Sequence, residues 1–269
     1  MKNKFKSILL VALGVTIFIS CSTDEKQEVV NNFKNLVVSD EFNTDGEINS
    51  SLWTFDIGRG DNGWGNNELQ YYTDRPENIK IEDGMLHIIA REESFEGANF
   101  TSARIKTQGL FEKQYGRFEA RIQLPWGQGI WPAFWLLGSN IEEVSWPQCG
   151  EIDIMEYRGQ EPVRVDGSMH GPGYSGGEAV TKSFILENDR FDTGFHVFGI
   201  EWGPDFINFY VDDALYNQIT PADVPGEWVF NQPFFIIMNV AVGGSYVGPP
   251  NAETQFPQTM LVDYVRVYE

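Results

Sequence analysis

Apolar and polar residues alternate along short stretches of this chain with a period of two. Arg117–Leu124 is the cleanest case: Phe118, Ala120, Ile122 and Leu124 share one face, and Arg117, Glu119, Arg121 and Gln123 share the other. That period predicts a strand with one face in the core. Residues 78–91 predict two strands around Asp83-Gly84, a strong hairpin signal. Val197–Trp202 and Phe206–Val211 predict a second hairpin around Gly203-Pro204-Asp205. Phe234–Val240 is a continuous apolar run, and Leu261–Tyr268 a final strand. No stretch keeps a helical period over three turns, and turn residues recur about every ten positions, as in antiparallel sandwiches. The expected fold is all-β, a sandwich of antiparallel strands. No repeat or second composition zone divides residues 35–269, so they are expected to form one domain.

The N-terminus follows a different logic. Lys2, Lys4 and Lys6 precede an apolar run from Ile8 to Ile19, then Ser20. A basic start and a short apolar stretch read as a secretory signal over residues 1–20, too short for an ordinary membrane span. Ile19-Ser20-Cys21 resembles a bacterial lipobox, with Phe18 where leucine is commonest. This resemblance implies export, a lipid on Cys21 and attachment to the outer membrane, facing the cell surface for a polymeric substrate. Residues 21–34 then read as the lipidated start and a tether. Cys149, the other cysteine, is expected to be a free, buried thiol.

Charge narrows the partners. The chain has 39 Asp and Glu against 19 Lys and Arg, a net charge of -20, and removing the three signal lysines leaves -23. Nucleic-acid binding needs clustered Lys and Arg, so nucleic acid is not an expected partner. Anchoring by basic patches is excluded on the same ground, leaving the N-terminal lipid as the expected membrane contact.

The most informative segment is Gly150-Glu151-Ile152-Asp153-Ile154-Met155-Glu156-Tyr157. Glu151 and Asp153 share one face of a strand. Strict alternation would bury Glu156 among apolar groups, which is costly. A β-bulge at Ile154–Met155 returns it to the acidic face. The Cα atoms of Glu151 and Glu156 are then about 13 Å apart. Side chains leaning together bring the carboxyls to about 6 Å, near the ~5–5.5 Å of retaining glycosidases. Three acids on one face repel, which raises at least one pKa, as a general acid needs. A solvated acidic face is the plain alternative. A Ca²⁺ site is another, although ligands along a stiff strand converge poorly.

Gly150–Glu156 resembles the signature of glycoside hydrolase family 16 in its bulged E-x-D-x-x-E form. Residues 129–137 (Gly-Ile-Trp-Pro-Ala-Phe-Trp-Leu-Leu) resemble the segment just upstream in laminarinase-like members, and residues 63–73 (Gly-Trp-Gly-Asn-Asn-Glu-Leu-Gln-Tyr-Tyr-Thr) resemble their N-terminal cleft loop. The resemblance implies a curved β-jelly-roll of the concanavalin A type, with two antiparallel sheets and a concave cleft. It implies Glu151 as nucleophile, Glu156 as acid/base and Asp153 as the residue that tunes the pair.

The same resemblance places Trp131 and Trp135 in the cleft, where flat indoles suit the apolar faces of sugar rings. Trp64, Asn67 and Glu68 are expected to bind sugar from the Gly-rich loop, with Arg59 as a hydroxyl donor near it. His170, in Met169-His170-Gly171, is expected to face the substrate or the acids, whereas His87 and His196 read as structural. Gly243-Gly244-Ser245-Tyr246 resembles a late cleft loop in which many relatives have tryptophan in place of Tyr246. The family commonly holds a structural Ca²⁺ away from the cleft, and the matching positions are Glu41, the Gly84 carbonyl and Asp263; catalysis itself needs no cofactor. The expected protein is a monomeric, retaining endo-β-1,3-glucanase acting on a β-glucan. A mixed-linkage β-1,3-1,4-glucanase or another β-glycan hydrolase is the alternative within the class. A non-catalytic glucan-binding lipoprotein is the alternative outside it, although both glutamates are present.

Overall fold

A computed structural model describes residues 33–269. The expected signal, Cys21 and most of the tether lie outside the described residues. Seventeen strands follow in chain order. They are β1 (Leu36–Asp40), β2 (Thr54–Phe55), β3 (Gln70–Tyr72), β4 (Ile79–Glu82), β5 (Met85–Phe95), β6 (Ala98–Ser102), β7 (Arg104–Lys106) and β8 (Gly116–Gln123). Then come β9 (Ile130–Gly138), β10 (Glu151–Tyr157), β11 (Arg164–His170), β12 (Val180–Ile185), β13 (His196–Gly203), β14 (Phe206–Val211), β15 (Ala214–Ile219), β16 (Phe234–Val242) and β17 (Gln258–Tyr268).

They form two sheets. One runs β15-β14-β13-β8-β17-β5-β6-β3, with β1 added on β17 and β4 on β5. The other runs β12-β11-β10-β9-β16-β7-β2. Pairing is antiparallel except between β3 and β6. The jelly-roll sandwich expected from the alternation is therefore the observed fold.

Between the sheets lies one apolar core. Phe118, Ala120 and Ile122 of β8 and Val262, Val265 and Val267 of β17 face Phe134 and Leu136 of β9, Ile152 and Ile154 of β10, and Ile236, Met238 and Val240 of β16. Each fully buried side chain of this size contributes about 1.5–3 kcal/mol. The β4–β5 hairpin turns at Asp83 (φ 55°) and Gly84 (φ 72°), the two positive φ values of a type I′ turn. The second hairpin is tighter than the sequence suggests. Gly203 pairs with Phe206 inside the ladder, so Pro204-Asp205 alone makes the turn. Cys149 is free and buried.

At one corner of the larger sheet, Glu41 follows Asp40, whose partner in β17 is Val265. Gly84 precedes Met85 and Leu86, and Leu86 pairs with Val262. Glu41, Gly84 and Asp263 are thus brought to the same corner, away from the smaller sheet. Both carboxylates have arginine partners there. Arg266 donates to Glu41 from Nε at 2.9 Å and Nη2 at 2.7 Å, and Arg121 Nη1 lies 2.6 Å from Asp263. The Arg266 hydrogen bonds hold the Glu41 carboxyl below the usual range.

Candidate active site

The outer face of the smaller sheet carries the acidic strand. In β10 the register slips between Asp153 and Met155 against β9, and between Asp153 and Glu156 against β11. This is the bulge expected at Ile154–Met155. Ile152, Ile154 and Met155 are all at most 1% exposed, so the bulge sends two successive side chains inward. Burying both residues offsets the ladder bonds lost at the bulge.

A grid follows from the register. Glu151 lies between Leu137 of β9 and His170 of β11, and Asp153 between Trp135 and Ser168. Glu156 lies between Ala133 and Asp166. Cross-strand partners project from the same face, so the acids share a floor with Trp131, Ala133 and Trp135 on one side and with His170, Ser168 and Asp166 on the other. Trp131 Nε1 donates to Glu156 at 3.1 Å, and Trp135 Nε1 donates to Asn239 of β16 at 2.9 Å.

Burial raises all three acids to about 8, and the charge of Asp153 adds to the rise of both glutamates. They titrate as a coupled set, and at least one proton stays in the cluster near neutral pH. Burial and then Asp153 dominate at both glutamates, and His170 opposes them at both. Arg104 adds a smaller push toward ionisation at Glu151, while at Glu156 the Trp131 hydrogen bond favours ionisation and Asp166 opposes it.

His170 completes the set from β11. Its Nδ1 accepts the Gly176 N–H at 3.0 Å, so the ring proton sits on Nε2. That nitrogen lies 3.0 Å from Asp153 Oδ2 and 3.6 Å from Glu151 Oε1. Ligand atoms of Glu151, Asp153 and His170 lie within 4.8 Å of one another, close enough to suggest a metal. The donor chemistry argues otherwise. A ligating histidine donates its other ring N–H outward, and here that nitrogen accepts a hydrogen bond. The trio suits a proton-sharing acid cluster.

Above this floor lies a cavity of about 510 Å³, inside the range usual for ligand sites. Trp64, Glu68, Trp131, Trp135, Trp146 and the three acids line it. The N-terminal loop is tied across the cleft mouth to the late loop. Asn67 Nδ2 donates to Ser245 Oγ at 2.9 Å, and Ser245 N–H to the Asn66 carbonyl at 2.7 Å. A side chain at Gly63 would sit 2.5 Å from the Glu68 nitrogen, so glycine is required there. Glu68 is 5% exposed and takes hydrogen bonds from Asn66, Gln70 and Tyr72. Burial raises its pKa.

The expected substrate residues divide. Trp64, Glu68, Trp131 and Trp135 line the cavity, His170 touches the acids, and Asn67 stands at the rim. Arg59 is exposed and outside the lining. Other cleft residues escaped the sequence reading. Arg104, paired to Asp56 at 2.9 Å, lies 4.6 Å from the Trp64 ring and 4.8 Å from the Trp135 ring. Its signal, one basic residue in a short strand, is common on any surface. Asn239 is the single polar residue of β16, and that signal was available. Trp146 stands in the loop before β10, with its ring 5.8 Å from His170.

The profile of Glycosyl hydrolases family 16 matches residues 63–266. The chain belongs to glycoside hydrolase family 16. It is 40% identical to a beta-glucanase from Rhodothermus marinus over 98% of this chain and 95% of that protein. The laminarinase catalytic domain of Thermotoga maritima superposes with a TM-score of 0.83 at 50% identity, covering 87% of this chain and 98% of that one. SCLam, a non-specific endo-β-1,3(4)-glucanase of the same family, gives a TM-score of 0.78 at 37% identity, covering 87% of this chain and 91% of that one. With family membership, the bulged strand and its two glutamates acquire a shared chemical context.

Proposed function

We propose that the chain is a retaining endo-hydrolase of laminarin-type β-1,3-glucan. The observation that carries this is the bulged β10, which sets Glu151, Asp153 and Glu156 on the floor of an indole-lined cleft. In the first step Glu151 attacks the anomeric carbon while Glu156 gives its proton to the departing glycosidic oxygen. A glycosyl ester on Glu151 results. In the second step Glu156 takes a proton from water, which attacks the same carbon, and Glu151 leaves with configuration retained. Asp153 sits between the two glutamates, its carboxyl raised to about 8 by burial, and His170 Nε2 lies 3.0 Å from it. Trp131 and Trp135 offer apolar faces to the sugar rings.

Incubation with laminarin, curdlan, lichenan, agarose and carrageenan, with products sized, tests this reading. Short β-1,3 oligomers from laminarin are the expected result, and an untouched laminarin overturns it. The non-specificity of SCLam supports a second reading, mixed β-1,3-1,4-glucan, which cleavage of lichenan at a comparable rate would favour.

Two further proposals stand beside the chemistry. Residues 1–21 support export, lipid attachment at Cys21 and display on the outer membrane of an otherwise monomeric enzyme. Fatty-acid labelling should be lost in Cys21→Ser, and equal labelling of the variant refutes the anchor. Glu41, the Gly84 carbonyl and Asp263 offer only oxygen donors at one corner, which suits Ca²⁺. Binding there exchanges the Arg266 and Arg121 pairs for the ion. Millimolar Ca²⁺ should raise Tm by about 5 °C and leave the hydrolytic rate unchanged, with Asp263→Ala losing the response. A melting curve indifferent to both Ca²⁺ and chelator refutes the site.

A further inference from the structure

Tyr246 comes from the late loop and reaches two groups that flank Glu156. Its ring packs against Trp131 with centroids 5.0 Å apart, and the Arg158 guanidinium lies 4.1 Å from that ring. Its hydroxyl donates to Asp166 Oδ2 at 2.7 Å. Trp131 is the indole that donates to Glu156, and Asp166 is the cross-strand partner of Glu156. One tyrosine therefore holds both the hydrogen-bond donor and the neighbouring carboxylate of the proposed acid/base.

Asp166 is built to stay charged. Ser183 donates to it at 2.6 Å, and Arg164 donates through Nε at 2.9 Å and Nη2 at 3.1 Å. It is 4% exposed, and burial opposes its ionisation. The bonds from Ser183, Tyr246 and Arg164 outweigh that cost and hold its pKa low. Asp166 forms no bond with Glu156, so its effect there is one of charge.

We propose that Tyr246 is a positioning residue for the acid/base, its ring fixing the Trp131 indole and its hydroxyl fixing Asp166 beside Glu156. The loop that carries Tyr246 thereby sets the protonation of a group on another strand. The groups that face Glu156 are Glu151 and Asp153 on its own strand and His170 and Asp166 on β11. The Tyr246 hydroxyl faces it from the late loop, with Arg164 and Arg158 behind. Burial and Asp153 do most to keep the proton on Glu156, and Asp166, the carboxylate held ionised by a separate set of donors, adds a fixed negative charge in the same direction. An indole free to tilt also gives up a sugar contact, whereas loss of the hydroxyl alone leaves the stacked ring in place.

The test is the pH profile of kcat and kcat/KM on laminarin for Tyr246→Phe, Tyr246→Leu, Asp166→Asn and the Phe/Asn double variant. Asp166→Asn should move the alkaline limb to lower pH by about half a unit. Tyr246→Phe should displace that limb and lower kcat about 3- to 10-fold, with KM within twofold of wild type. Tyr246→Leu should also raise KM at least threefold. The double variant should match Asp166→Asn alone, since Asp166 accepts the hydroxyl's hydrogen bond. Tyr246→Phe keeps the packing, so it remains informative if Asp166→Asn fails to fold. A wild-type limb in Tyr246→Phe, or additive losses in the double variant, overturns the proposal.

Discussion

Glu151→Gln is expected to cut laminarin hydrolysis by at least ~10⁴-fold, while oligosaccharide binding persists. The amide cannot form the glycosyl ester, yet its shape preserves the floor between Leu137 and His170. The same variant should be more stable at alkaline pH. Burial, then Asp153, raises the Glu151 pKa to about 8 in the folded chain, against an ordinary value of 4.5. Between those values the folded state binds more protons than the unfolded one, so stability falls as pH rises through the window. Glutamine takes up no charge and does not incur that loss. At pH 8 the gain should be about 1–3 kcal/mol, read as a Tm several degrees above wild type. At pH 4 the two proteins should melt together. Wild-type activity in the folded variant, or equal melting temperatures at pH 8, contradicts the assignment.

Glu156→Ala should lose a comparable factor on laminarin, whose leaving group needs a proton, but much less on an aryl β-laminaribioside, whose leaving group does not. Glu151 still forms the glycosyl ester there, and hydrolysis of the ester becomes slow. Azide, an anion that needs no general base, should then accelerate turnover and give the β-glycosyl azide by a second inversion. In Glu151→Ala, azide attacks the substrate directly and the product is the α-azide. The anomer, read by NMR, separates the two glutamates. If both variants give the same anomer, the assignment of roles fails.

The cleft shows where local pattern suffices and where it stops. Arg117–Leu124 alternates, and its Phe118, Ala120 and Ile122 are buried as the period requires. Asp83-Gly84 turns with two positive φ values because the dipeptide tolerates them. The bulge in β10 was legible too, since leaving Glu156 in strict register would have buried it unpaired. These features depend on residues within one strand or turn, where energy and sequence separation are both short-range.

Other features had no such signal. Trp146 lines the cleft from a loop, a position that alternation does not address. Arg59 lies near the cleft loop in sequence, but it is exposed and stands outside the cavity lining. Arg104 becomes a cleft residue only because β7 pairs with β16 at the edge of the cleft sheet, beside Trp64 and Trp135.

The sequence by itself determined the strand pattern, the acidic face of β10 and the two glutamates that the chemistry needs, because period, charge cost and residue type are local properties. Only the tertiary structure decided which charges from other strands reach each glutamate, Arg104 acting on Glu151 and Asp166 on Glu156. Arg104, Asp166 and Tyr246 come from β7, β11 and the loop after β16. Electrostatic influence depends on distance through the fold, and no spacing along the chain encodes it.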